Sequence, residues 1–170
     1  PMPEVTLLPL DQPAAEELAA GPEAFARARD ITLVPTWPTV VDIATQTARF
    51  LAATPARAPW GAYLTLEMPE RRLVGTCAFK GNPDADGIVE IAYFTFPGEE
   101  GRGLATTVAH ALFQIASSAT PPAVVVRAHT LPEVNASVRV LQKAGFRHLG
   151  EVIDPEDGRV WRWERPARAI

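Results

Sequence analysis

The sequence predicts an α/β protein built on a mixed, mostly antiparallel sheet, and three observations carry that prediction. Three strand-like runs between residues 60 and 96 follow one another with turn signals between them, as in an antiparallel meander. The last of these, a helical pattern at 101–118 and a short apolar run at 121–130 make a strand-helix-strand crossover, the connection that a parallel pair needs. Two C-terminal runs joined by DPEDG read as a hairpin.

Each element follows from local pattern. EVTLLPL (4–10) reads as the first strand. PAAEELAA and PEAFARARD read as short helices opened by Pro13 and Pro22, because proline's fixed φ and missing N–H suit a first helical turn. DITLVPTWPT (30–39) reads as loop, and Val40, Ile43, Thr47, Phe50 and Leu51 then recur at helical spacing over 39–53. The meander strands are WGAYLTLE (60–67), RRLVGTCAFKG (71–81) and GIVEIAYFTF (87–96), the last after the turn NPDADG. Leu104, Val108, Ala111, Leu112 and Ile115 mark one face of the helix at 101–118. PPAVVVRAHT is the next strand, and PEVNASVRVLQKA (132–144) a helix that Gly145 ends. GFRHLGEVI and RVWRWER form the closing hairpin, whose Val160, Trp161 and Trp163 either complete the sheet or add to a partner's edge in a homodimer.

With 47% hydrophobic and 21% charged residues, the composition is that of a soluble globular protein, and 170 residues fit one domain spanning 1–170. No apolar run approaches the about 20 residues that cross a bilayer, so no membrane partner is expected. The opening PMPEVTLLPL lacks a charged segment followed by an apolar one, which makes the cytoplasm the expected location. A net charge of −4 with scattered basic residues excludes the footprint of a nucleic-acid binder. The lone Cys77, in LVGTCAF, reads as core. His110, His129 and His148 are isolated in sequence, so no metal is expected, although His129 ends a strand where it can meet substrate.

The stretch PGEEGRGLATTVAHAL (97–112) sets Gly98, Gly101 and Gly103 directly before a helix. The first N–H groups of a helix lack intrahelical partners, and glycine lets a phosphate approach them closely. Leu104 and Ala105 stand where a P-loop needs Lys and Ser or Thr, and no dinucleotide fingerprint follows the first strand. The alternative is that the glycines only turn the chain, with Glu99 and Glu100 complementing the helix dipole.

GRGLAT at 101–106, after VEIAYFTFP and before NASVRVLQKAGF, resembles the GCN5-related N-acetyltransferases, and within them the branch of ribosomal-protein N-terminal acetyltransferases. The resemblance covers about residues 5–165. It implies helices on both faces of the sheet and a splayed parallel pair at its centre. It also implies acetyl-CoA, its pyrophosphate cradled by the amides of Gly101, Arg102, Gly103, Leu104, Ala105 and Thr106 and its pantetheine on the backbone of Phe94, Thr95 and Phe96. The chain departs from the family at Gly98, where Gln or Arg is usual, and at Leu141, where many relatives have the tyrosine that protonates the departing thiolate. In the branch it resembles, Asn135 of N-x-S-x-R-V-L is a candidate cofactor-binding residue and its serine, here Ser137, a candidate for that donor; the alternative is that Asn135 and Ser137 cap a helix.

Glu90 shares its strand face with Ile88, Ala92, Phe94 and Phe96, an acid among apolar groups that desolvation would turn into a general base. Its alternative is a cross-strand ion pair with Lys80 or an arginine. The resemblance implies a primary amine as acceptor, on a protein N-terminus or a small molecule. An α-amine with pKa near 8 is about a tenth neutral at pH 7, whereas a lysine amine near 10.4 is neutral at about four parts in ten thousand, so a weak base suffices for the former. Trp37, Trp60 and Tyr63 are candidate walls of an acceptor pocket or else core. A contrasting function is non-catalytic acyl-CoA sensing.

Overall fold

From the N-terminus the chain runs β1 (Val5–Leu10), α1 (Gln12–Ala20), α2 (Pro22–Ala28), β2 (Thr32–Leu33), α3 (Pro38–Ala53), β3 (Ala62–Glu67), β4 (Arg72–Phe79) and β5 (Ile88–Thr95). It continues through α4 (Leu104–Ser118), β6 (Val125–Thr130), α5 (Ala136–Lys143), β7 (Arg147–Asp154) and β8 (Gly158–Pro166). The structure, a computed structural model, describes residues 2–53 and 56–167; the side chain of Val40, expected on the face of α3, lies outside what is described.

The strands lie in the order β1-β3-β4-β5-β6-β8-β7, antiparallel throughout except for the parallel pair β5-β6. The meander, the crossover and the hairpin are therefore all present. β8 sits inside the sheet between β6 and β7, so Val160, Trp161 and Trp163 complete this chain's own sheet, and the edges are β1 and β7. The short β2, which pairs in parallel with Arg72 and Leu73, falls in the segment read as loop; two residues carry no periodicity to detect.

Helices cover both faces. Val89, Ile91, Leu112, Phe113, Leu141, Phe146 and Trp163 pack with α4 and α5 on one side, while Leu10, Leu18, Phe25, Leu64, Leu66 and Phe96 pack with α1, α2 and α3 on the other. Full burial of each such side chain contributes about 1.5–3 kcal/mol, which is what holds the helices to the sheet. Cys77 is core, as read, and burial pushes its thiol up to about 12.

Local chemistry sets the ends that matter. α4 begins at Leu104, later than the pattern suggested, because Gly103 takes φ +84° and cannot continue a right-handed helix. α5 begins at Asn135, whose side chain accepts the Val138 N–H at 3.1 Å. It ends with Gly145 at φ +83°, the Gly145 N–H on Gln142 O and the Phe146 N–H on Leu141 O, a Schellman pair that satisfies two orphan carbonyls.

Candidate active site

β5 and β6 pair at Ile88↔Val125, Val89↔Val126 and Glu90↔Arg127, and beyond Glu90 the two strands run on unpaired with each other. The sheet opens at its centre. The Lys80 N–H donates to Glu90 O and the Phe96 N–H to Val74 O, both at 2.8 Å, so even-numbered residues of this stretch turn their backbone groups to β4. By alternation, Ile91, Tyr93 and Thr95 turn theirs into the gap. Of Phe94, Thr95 and Phe96, Thr95 is thus the residue with backbone groups directed into the gap; those of Phe94 and Phe96 are directed at β4.

At the end of β5 the chain enters the glycine loop. Gly98, Gly101 and Gly103 all have φ between +80° and +89°, a region that side chains with a Cβ rarely adopt. A Cβ placed on Gly98 or Gly101 would meet nothing within 4 Å, so the loop faces open space, and no side chain caps α4. The first N–H groups of α4, on Leu104, Ala105 and Thr106, point along the helix dipole toward that space, which suits a phosphate.

Glu99 does not complement the helix terminus. It is 8% exposed and accepts from Arg72 at 2.9 Å and from Arg102 at 2.6 Å. Glu67 on β3 accepts from the same two guanidiniums, each at 2.6 Å, which closes a four-membered ring that ties the loop to β3 and β4. Chiefly the Arg102 hydrogen bond, with Arg72 in support, holds the Glu67 carboxyl below its ordinary range.

Glu90 lies where the strands part. Val89 and Ile91, on the opposite face of the strand, are buried, whereas the Glu90 carboxylate meets charged and polar partners, among them the Lys80 pair that its alternative reading named, in place of wholly apolar surroundings. Lys80 Nζ lies 3.4 Å from its carboxylate, and His129 Nδ1 hydrogen-bonds it directly. Arg162 Nε donates to His129 Nε2 at 3.2 Å. Because a guanidinium can only donate, Nε2 accepts and the ring proton sits on Nδ1, aimed at Glu90. The result is a chain Arg162–His129–Glu90 across β8, β6 and β5.

Ligand atoms of Glu90, His129 and Asp154 fall within 4.8 Å of one another, so metal-ligand residue types that sequence spacing kept apart meet in space. The hydrogen bonds do not suit an ion there: with Nε2 occupied by Arg162, Nδ1 carries a proton and no free lone pair, and Lys80 adds positive charge. Hydrogen bonds from the backbone of Asp157 and Glu156 hold the Asp154 carboxyl below its usual range.

Between α3 and the sheet lies a cavity of about 260 Å³. Ile43, Gln46, Thr47 and Phe50 of α3 wall it on one side, and Leu10, Tyr63, Ala92 and Phe94 are among its other walls. Trp37 and Trp60 do not line it: Trp37 packs on the α1–α3 core, and Trp60 stacks edge-on to Phe79 at 5.1 Å. Asn135 acts as the helix cap that its alternative reading anticipated, and Ser137 is half-buried on the first turn of α5. Leu141 is 0% exposed within the core and offers no hydroxyl.

The sequence matches the family model of the acetyltransferase (GNAT) domain over residues 4–147. The chain belongs to the GNAT acetyltransferase family. No curated protein matches it. Among solved structures, the microcin C7 self-immunity acetyltransferase MccE, in complex with acetyl-CoA and AMP, is 16% identical with a TM-score of 0.63, over 96% of this chain and 92% of that one. The aminoglycoside acetyltransferase AAC(6′)-Ib in complex with coenzyme A is 17% identical with a TM-score of 0.64, over 96% and 95%. The ribosomal alpha-N-protein acetyltransferase RimL is 13% identical with a TM-score of 0.64, over 98% and 95%. At these identities the likeness is one of fold, and RimL stands no nearer than the others, so the branch within the GNAT family is not singled out.

Within the GNAT frame, three residues of this centre carried little signal in the sequence. Arg162 and Asp154 lie far from Glu90 along the chain, and Glu67 reads as an ordinary strand-end acid. Arg162 and Asp154 left a trace in their register: His129 faces Arg162 across β6-β8, and Asp154 opens the β7-β8 turn. No helix among the described residues is long and apolar enough to cross a membrane.

Proposed function

We propose that the chain is a single-domain, acetyl-CoA-dependent N-acetyltransferase that moves the acetyl group to a primary amine by direct attack in a ternary complex. The observation that carries this reading is the coincidence on one strand: β5 parts from β6 immediately after Glu90 and ends in the glycine loop before α4. Base, gap and anion site are thereby set in line. The residues fit the donor, since the loop is open and its helix uncapped, and the backbone groups of Ile91, Tyr93 and Thr95 would be costly to leave unpaired in a closed gap.

Bound acetyl-CoA supplies a thioester carbon. Glu90 takes a proton from the acceptor ammonium, the neutral nitrogen forms the new C–N bond as the C–S bond breaks, and the thiolate leaves to be protonated. His129, its tautomer set by Arg162, donates to the Glu90 carboxylate and holds its orientation. Ser137 or water returns the proton to the thiolate, whose pKa near 8.5 makes it a tolerable leaving group.

The buried Leu141 favours one other reading, acyl-CoA sensing without transfer, because the usual hydroxyl donor is missing. Glu90→Gln separates the two. On the enzyme reading it leaves acetyl-CoA affinity, measured by calorimetry, within twofold and lowers amine-dependent thiol release by about 10²–10⁴-fold, the worth of a general base. Turnover unchanged in Glu90→Gln removes that residue from the mechanism, and a wild-type protein that binds acetyl-CoA but turns over no amine is a sensor.

A further inference from the structure

We propose that the acceptor is a small primary amine carrying one uncharged apolar or aromatic group about two carbons from the nitrogen, the 2-arylethylamine skeleton, and that this group is seated in the cavity beneath α3. The inference rests on Glu90 as the point of proton removal. Ala92 and Phe94 lie on the Glu90 face of β5, because side chains alternate along a strand, and both line the cavity. Two residues of strand separate the level of Glu90 from that of Ala92 by about 7 Å. An amine at Glu90 and a ring over Ala92 are therefore joined by a short spacer.

The cavity's chemistry restricts the body of the acceptor. Its volume of about 260 Å³ falls below the span of about 300–1,000 Å³ typical of drug-sized ligands, so it takes one ring system and not several sugars. None of the described residues lining it is charged; Gln46, Thr47 and Thr76 are among its polar side chains, and Phe50, Tyr63, Tyr93 and Phe94 are its aromatic ones. Phe94 is 46% exposed, the position of a side chain at a mouth. A second ammonium entering such a cavity would lose its hydration without a counter-charge.

None of the carboxylates around Glu90 lines this cavity. Lys80 faces both Glu90 and Asp157, at 3.4 and 3.6 Å, and Arg127 holds Glu164 at 2.6 Å. Asp154 accepts the Glu156 and Asp157 backbone N–H groups at 2.9 and 3.0 Å. A polyamine or aminoglycoside seated in the cavity would find there none of the several anionic contacts it needs.

The test is thiol release by the full chain with acetyl-CoA and a panel of acceptors: 2-phenylethylamine, tryptamine, phenylalanine amide, a peptide with N-terminal Phe, spermidine and an aminoglycoside. The expected result is kcat/KM for the arylethylamines at least tenfold above that for spermidine and the aminoglycoside, within the about 10–200-fold that apolar pockets discriminate. Comparable rates for phenylalanine amide and the peptide identify a peptide N-terminus as the source of the skeleton; rates confined to the free amines identify a small molecule. Ala92→Leu, which fills the cavity floor, raises the arylethylamine KM at least tenfold with acetyl-CoA affinity unchanged, and Phe50→Ala gives a second readout if that variant does not fold. Preference for spermidine or the aminoglycoside, or a KM indifferent to both substitutions, overturns the inference while leaving acetyl transfer standing. Turnover of none of the amines, with acetyl-CoA still bound, overturns the transferase reading itself.

Discussion

Glu67→Gln removes one negative corner of the ring that anchors the glycine loop while keeping the size of the side chain. Glu67 is 12% exposed and accepts from Arg72 and Arg102, whose side chains are 29% and 42% exposed. The Arg72 bond, the less exposed of the two, takes the value of a hydrogen bond to a charged group, about 1.5–3 kcal/mol. The Arg102 bond, more open to solvent, takes the about 0–1 kcal/mol of a surface pair. Gln retains part of each, so the expected loss is about 2 kcal/mol, or about 4–8 °C in Tm for a domain of this size. The pH dependence has a definite sign. Because the folded carboxyl titrates below its unfolded value, the stabilisation is complete above the ordinary glutamate range near 4.3 and is lost as pH falls through the folded value. Calorimetric melts at pH 7 and at steps down to pH 3 should show the difference between wild type and variant shrinking at the acid end, and 1 M salt should narrow it at pH 7. Loosening Arg102 should also raise KM for acetyl-CoA severalfold with kcat nearly constant. A Tm difference under 1 °C at pH 7, or one that does not change with pH, refutes the ring as the loop's anchor.

Gly75→Ala sets a Cβ against the Phe94 carbonyl oxygen, which belongs to backbone and cannot swing aside, so β5 must shift from β4. We expect a loss of about 2 kcal/mol or more in urea unfolding together with weakened acetyl-CoA binding, since the same strand borders the gap; a neutral variant would show that β5 moves freely. Cys77, with its thiol pushed up to about 12 by burial, should resist alkylation at pH 8 in the folded protein and react at the ordinary thiol rate in denaturant. Stoichiometric labelling of the native state within minutes would contradict its place in the core.

The elements that the sequence made legible are those whose signal is local. Period-two alternation marked β3 to β5, proline and glycine marked the ends of α1, α2 and α5, and the glycines at 101 and 103 marked a tight turn into a helix, because a left-handed backbone and an uncapped helix start are properties of a few adjacent residues. Glu90 was legible as a position on β5 but not as a chemical environment. Lys80, just after β4, was legible as a cross-strand partner from the meander, but His129 and the Arg162 behind it come from β6 and β8, and only the register of the sheet brings them to Glu90. The same reason hid the ring of Glu67, Arg72, Glu99 and Arg102 and made Asp154 a neighbour of His129. By itself the sequence determined the order of the longer elements, the crossover and the loop; the tertiary structure decided which charges face each other, which backbone groups turn into the gap and which residues wall the cavity beneath α3, because those depend on side chains distant in the chain meeting across paired strands.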